Sequence, residues 1–193
     1  MELVLASTSA YRAALLERLG LPFRTMAPDV DESPLDGESA DDLVARLSRL
    51  KAAAGARNEK DALVIGSDQV AVLDEAILGK PGTPERAREQ LALLSGRQVR
   101  FLTGLCLTDA RTGHEQLEVI ETPVWFRSLS EAQIADYVAR ERPLDCAGAF
   151  KSEGLGIALF DRLGGPDPNA LIGLPLIALC RMLADAGLPV LGR

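Results

Sequence analysis

Residues 1–20, MELVLASTSAYRAALLERLG, decide how this chain begins to fold. The apolar run ELVLA reads as a buried strand, and SAYRAALLERLG reads as a helix with Ser9 near its cap and Gly20 as its stop. Between them stand Ser7, Thr8 and Ser9, where another aliphatic residue would have lengthened the strand. A strand, a short hydroxyl-rich loop and a helix N-terminus together make an anion site, because first-turn N–H groups, the helix dipole and the hydroxyls all point at one place. Arg12, one turn into the helix, can grip an oxyanion bidentately. Ordinary helix capping beside a surface arginine uses the same residues, so this stretch needs a partner elsewhere in the chain.

Working outward, helices and strands alternate. SADDLVARLSRLKAAAGA carries a capping box from Ser39 to Asp42 and an apolar stripe of Leu43, Leu47, Leu50 and Ala54, which predicts a helix. ALVIGSDQVAVL is strand material, TPERAREQLALLSG a helix with Pro84 in its first turn, and QVRFLTGLCLTD with EQLEVIETPVWF a hairpin. SEAQIADYVARE has a second capping box, CAGAFKSEGLGIALF reads as strand-like with glycine interruptions, and DPNALIGLPLIALCRMLADAG closes with a helix. APDVDESPLDGES is a loop between elements. The order is that of a mixed α/β domain with an antiparallel insertion.

Composition narrows the chemistry. A chain of 193 residues, 47% apolar and 25% charged, suits one compact soluble domain. Its formal net charge of -7 opposes non-specific binding to nucleic acid or to an anionic membrane, so an anionic ligand must be held locally. No run is long and apolar enough for a signal core or a membrane span. Cys106, Cys146 and Cys180 are widely spaced and odd in number, as expected of reduced thiols in the cytosol. The single histidine, His114, falls at an expected hairpin tip, leaving little material for a Ser/His/Asp triad or a histidine metal site. Carboxylates, hydroxyls and oxygen-liking cations remain.

Asp68 interrupts the apolar run VIGSDQVAV, where a buried, unpaired carboxylate would cost several kcal/mol. Flanking Val64, Ile65, Val70 and Val72 favour a functional carboxylate over a solvated turn. Lys51 projects between Val44 and Leu47 on the flank of its helix's apolar face, where a snorkelling lysine and a ligand-binding one are both consistent. Lys80, in LGKPGT, has neither the spacing nor the following Ser/Thr of a Walker lysine. Asp29, Asp31 and Glu32 supply hard oxygen ligands suited to Mg²⁺ or Mn²⁺, or simply a solvated loop. EGLGIAL lacks the third glycine of a dinucleotide fingerprint.

Taken together, LASTSAYR, DVDES, the lysine of RLKA, GSDQV, GKP, LTG and AGAFKSEG followed by GLP resemble, in order and spacing from about Leu3 to Leu188, the Maf family of nucleotide pyrophosphatases. GSDQV and FKSEG are similar to the subgroup acting on 7-methyl-GTP. The dTTP/UTP-cleaving subgroup, the alternative, carries threonine after the aspartate and glutamine in place of the glutamate. The resemblance implies one domain over residues 1–193, with an elongated mixed β-sheet in two lobes flanked by helices, a central cleft, and a fold like that of inosine triphosphate pyrophosphatases. Carried over, Ser7, Arg12, Lys51 and Lys80 would hold the triphosphate. Glu32 and Asp68 would organise a divalent metal and water, with Asp68 as base, while Tyr11, Gln69 and Glu153 would choose the nucleobase. The resemblance also implies a cytoplasmic homodimer with no nucleic-acid or membrane partner. A nucleotide-sensing regulator of septum formation is the non-enzymatic alternative. Ala10 stands where the family has proline, and Tyr11 where it has a second basic residue or tryptophan.

Overall fold

The computed structural model describes residues 1–192. Its elements are β1 (Glu2–Ala6), α1 (Ala10–Glu17), β2 (Arg24–Met26), α2 (Ala40–Ala56), β3 (Ala62–Leu73), β4 (Ala76–Leu78), α3 (Pro84–Leu94), β5 (Gln98–Asp109), β6 (Glu115–Phe126), α4 (Glu131–Glu141), β7 (Phe160–Leu163) and α5 (Leu176–Asp185). The strands form one mixed sheet in the order β2-β1-β3-β5-β6-β7, with β4 paired to β3. β1 runs parallel to both β2 and β3, while β4 and β7 are antiparallel to their partners. The predicted α/β class is therefore what the chain adopts. Missing from the sequence reading are β2 and β4, three-residue strands too short to show a period.

The described residues divide into two compact units. One comprises residues 1–68, 103–120 and the chain from Asp167, and the other residues 69–102 and 121–166. In the first, β3 obeys the two-residue alternation of a strand with a helical layer on each face. Leu63 and Ile65 join Leu3, Leu5, Leu16 and Leu179 in the core beneath α1 and α5. Val64 faces the other way, with Val4, Ala6 and the partly buried Ala56 of α2.

α2 seats on that second face through glycines. A Cβ at Gly66 would lie 2.2 Å from the Ser48 carbonyl oxygen, one at Gly104 would lie 2.4 Å from that of Val44, and one at Gly55 would lie 2.6 Å from Val64 Cγ1. This close approach rotates the helix relative to the stripe expected from Leu43, Leu47, Leu50 and Ala54. Leu50 is exposed, and the buried row continues through Val44, Leu47, Ser48, Lys51, Ala52 and Gly55. Lys51 thus lies on the seam itself. Ser39 caps α2, its hydroxyl accepting from the Asp42 amide, but the Asp42 carboxylate accepts from the Ser39 hydroxyl, so only half of the expected capping box forms.

In the second unit Phe101, Phe126, Phe150 and Phe160 meet edge to face, with ring centroids 4.8 to 5.6 Å apart. The capping box at Ser130 and Gln133 is present. The strand expected across residues 146–160 is not: the segment forms 3-10 turns at Ala147–Ala149 and Leu155–Leu159, and only Phe160–Leu163 pairs with β6. The physical reason is that α4 takes its amides. Lys151 N–H donates to the Tyr137 hydroxyl at 3.0 Å and Leu155 N–H to the Glu141 carboxylate at 2.8 Å, so those donors are lost to any ladder.

The glycine seat carries a measurable consequence. Gly66→Ala should lower the unfolding free energy by about 3 kcal/mol, because the new methyl meets α2 backbone that only a helix shift can relieve. Gly79→Ala, with nothing within 4 Å of its Cβ, serves as control and should change little. Equal losses in urea unfolding would contradict this packing.

Candidate active site

Six of the predicted residues fall in the first unit: Ser7, Tyr11, Arg12, Glu32, Lys51 and Asp68. Lys51 is central. Its side chain is only 6% exposed, and its ammonium lies 2.7 Å from both Asp68 Oδ1 and Glu32 Oε1. α2 brings Lys51 onto the sheet, β3 carries Asp68 to meet it, and the loop before α2 delivers Glu32 from the solvent side. β3 continues unbroken through Asp68, which excludes the solvated-turn reading of GSDQ.

Ser48, one turn before Lys51, is a contact of Asp68 that the sequence reading did not mark. Its hydroxyl donates to the Val44 carbonyl at 2.7 Å, closing on its own helix, and accepts from the Asp68 amide at 3.1 Å. The same helix therefore holds both the backbone and the carboxylate of Asp68. A serine in an apolar helix stripe carries no periodic signal to mark this.

On the opposite face Ser9 is the N-cap of α1, as expected, accepting from the Arg12 amide at 3.3 Å. Ser7 is buried, and its hydroxyl accepts from the Ser9 amide at 3.1 Å and from Arg12 Nη1 at 3.5 Å. Burial lowers the Arg12 guanidinium below its ordinary pKa, with the charges of Asp68 and Glu32 acting in the other direction. Arg12 therefore shares an electrostatic environment with the Lys51 cluster. Two cations and two carboxylates give it a balanced formal charge, so an added polyphosphate would bind best with its own counter-cation.

Tyr11 adjoins Arg12 on α1 and is half-buried. Gln69, Lys80 and Glu153 belong to the second unit. Gln69 follows Asp68 on β3, Lys80 is exposed beyond β4, and Glu153 is exposed in the turn between the two 3-10 segments. Ser152 Oγ donates to Glu153 at 3.5 Å, while Lys151 turns toward α4, where Nζ donates to the Glu141 carbonyl at 3.3 Å. Gly154 is required behind Glu153, since a Cβ there would lie 2.9 Å from the Glu141 carboxylate.

The loop bearing Glu32 has its own staple. Arg46 of α2 donates from Nε to Glu38 Oε1 at 2.5 Å, and from Nη2 to Glu38 Oε2 at 2.7 Å and to the Ser33 carbonyl at 3.0 Å. Glu38 Oε2 also accepts from the Leu35 amide at 3.1 Å. Asp29 and Asp31 stay exposed, with Asp31 Oδ1 accepting from the Ser33 amide. Among the described residues, no group of three or more His, Cys, Asp and Glu side chains could hold a metal, so Glu32 and Asp68 stand as a two-carboxylate set.

The Arg46 hydrogen bonds hold the Glu38 carboxyl down to about 2 from an ordinary 4.5. A lowered folded pKa means that this bracing is complete above the ordinary value and disappears as pH falls through the folded one. Amide-exchange protection at Leu35 should accordingly persist well below pH 4.5 and vanish toward about 2. Protection already lost at the ordinary carboxyl pKa would contradict the staple.

A family model described as Maf-like protein matches residues 2–186. A 7-methyl-GTP pyrophosphatase of Nitrosococcus oceani is 57% identical over 189 residues, 98% of this chain and 95% of that one. Another 7-methyl-GTP pyrophosphatase, from Alkalilimnicola ehrlichii, is 57% identical over 190 residues, 98% of this chain and 96% of that one. In fold, the chain is similar to a HAM1 protein from Coxiella burnetii, with a TM-score of 0.51 at 17% identity over 96% of this chain and 99% of that one. Such coverage and identity decide the matter of kinship: this protein belongs to the Maf family.

Proposed function

We propose that the chain is a nucleoside triphosphate pyrophosphatase that hydrolyses 7-methyl-GTP to 7-methyl-GMP and pyrophosphate. The observation that carries this reading is the Lys51 ammonium held at 2.7 Å by both Asp68 and Glu32, in a Maf-family chain whose relatives are named for that activity. Cleaving an anhydride between the α- and β-phosphates calls for cationic positioning of the phosphates, neutralisation of charge and an aligned water. The cluster contains groups of each type without a histidine.

In this reading Arg12, Ser7 and Lys51 grip phosphate oxygens, with Lys80 as a further cation. Asp68 is the base. A carboxylate accepts at both oxygens, so Oδ2 can take a water proton while Oδ1 stays on Lys51. The water oxygen bonds to the α-phosphorus, the bond from that phosphorus to the bridging oxygen breaks, and pyrophosphate leaves. Glu32 and Asp68 would hold a divalent cation, Mg²⁺ or Mn²⁺. Two hard carboxylates fit an ion that takes its remaining ligands from phosphate and water, and it would supply charge neutralisation on the phosphates.

For the base, N7-methylation gives guanine a positive charge. Tyr11 contributes an aromatic face and Glu153 an exposed carboxylate, which accepts from the N1–H and N2 amino edge, with Gln69 as a further polar contact. Family resemblance extends the proposal to a homodimer acting in the cytosol. Among the described residues, no helix is long and apolar enough to cross a membrane.

A nucleotide panel with pyrophosphate detection tests the proposal. We expect kcat/KM to rank 7-methyl-GTP above GTP and both above dTTP and UTP, and Glu153→Gln to narrow that gap. Asp68→Asn should lower kcat about 10²–10⁴-fold with little loss of nucleotide binding. Full turnover in that variant would remove Asp68 as the base, and a preference for dTTP or UTP would overturn the substrate.

A further inference from the structure

Arg12 is not held in place by α1 alone. Its Nε donates to the Gly173 carbonyl at 2.9 Å, and the hydroxyl of fully buried Ser67 lies 3.0 Å from that same oxygen. Ser67 Oγ is also 2.8 Å from the Gly104 carbonyl, so its single proton has two carbonyls to serve and ties the loop before α5 to the sheet. Gly173 sits at φ +123°, a left-handed conformation that a side chain would strain, and a Cβ there would lie 3.4 Å from Arg12 Nε.

The rest of that loop is fixed on both sides of the glycine. Thr103 Oγ1 donates to the Ala170 carbonyl at 2.9 Å. Buried Asp167 accepts from the Asn169 amide at 2.8 Å and from the Ile177 amide, in the first turn of α5, at 2.6 Å. The Gly173 carbonyl is therefore a preset acceptor. An arginine engaged through Nε leaves its Nη1 and Nη2 edge to address a ligand, and Nη1 lies toward Ser7.

We propose that Ser67 is a positioning residue for Arg12, acting through the Gly173 carbonyl to aim the guanidinium fork at the phosphates. Successive residues of a strand point to opposite faces. Asp68 therefore meets Lys51 of α2 while Ser67 sets Arg12 of α1, and the one dipeptide keeps both cations in register. This inference rests on the phosphate-binding reading of the site.

A double-mutant cycle tests it on the full-length protein. The probes are the α,β-methylene analogue of GTP, which resists cleavage, and GMP. Ser67→Ala should weaken analogue binding about fivefold, equivalent to one ordinary hydrogen bond, and weaken binding of GMP, which keeps a single phosphate, less than that. In an Arg12→Lys background, which keeps the charge but lacks Nε, Ser67→Ala should cost nothing further. Ser67→Thr should restore affinity. Independently of any nucleotide, the Arg12 Nε–H resonance, identified by its loss in Arg12→Lys, should exchange slowly with water in the native protein and faster in Ser67→Ala. An equal loss in both backgrounds, or an unaltered exchange rate, would overturn the proposal. A native protein that exchanges as expected but binds neither probe would instead overturn the phosphate reading.

Discussion

A lysine ammonium with a side chain only 6% exposed has to be paired, and that requirement organises the first unit of this protein. Lys51 meets it with two carboxylates that come from different parts of the chain, one on β3 and one in the loop before α2. The pairing is possible because α2 lies against glycines, whose missing side chains bring the helix backbone onto the sheet. Were Gly66 or Gly104 larger, the helix would stand off and the ammonium would no longer span to Asp68. Packing geometry and site chemistry are thus one constraint.

The two faces of β3 divide the work. Toward α2 the strand presents Val64, Gly66 and Asp68, graded from core to charge. Toward α1 and α5 it presents Leu63 and Ile65 and then Ser67, graded from core to hydroxyl. In each direction the apolar part anchors the strand and the polar end serves the site. Buried hydroxyls are suited to this position because they are small, uncharged and able to bond in two directions.

Much of this was legible in the amino-acid sequence. Asp68 stood out because a carboxylate inside an apolar strand run needs a partner, and Ser7, Ser9 and Arg12 because strand, hydroxyl loop and helix start follow one another so closely. Lys51 was visible but undecided. Helical periodicity ranks residues by hydropathy, and it placed Leu50 inside and Lys51 at the edge, whereas the glycine seats turn the helix to bury Lys51 and expose Leu50. Glycines carry almost no hydropathy, so Gly66 and Gly104 gave no sign of being contact points. Ser48 and Ser67 were equally silent, since their partners are backbone groups remote in the chain. The strand expected near Phe150 failed for a related reason: side chains of α4, Tyr137 and Glu141, capture amides that an apolar run would otherwise offer to a ladder.

The central claim is that the Lys51 cluster, with Arg12 beside it, is a polyphosphate site and not merely a structural ion-pair network. Its most direct test is a crystal structure of the protein with the α,β-methylene analogue of 7-methyl-GTP and Mg²⁺. The account predicts phosphate oxygens on the Arg12 fork and on Lys51 Nζ, with Asp68 facing the α-phosphorus. An analogue bound away from Arg12 and Lys51, with the ammonium still closed on Asp68 and Glu32, would contradict it.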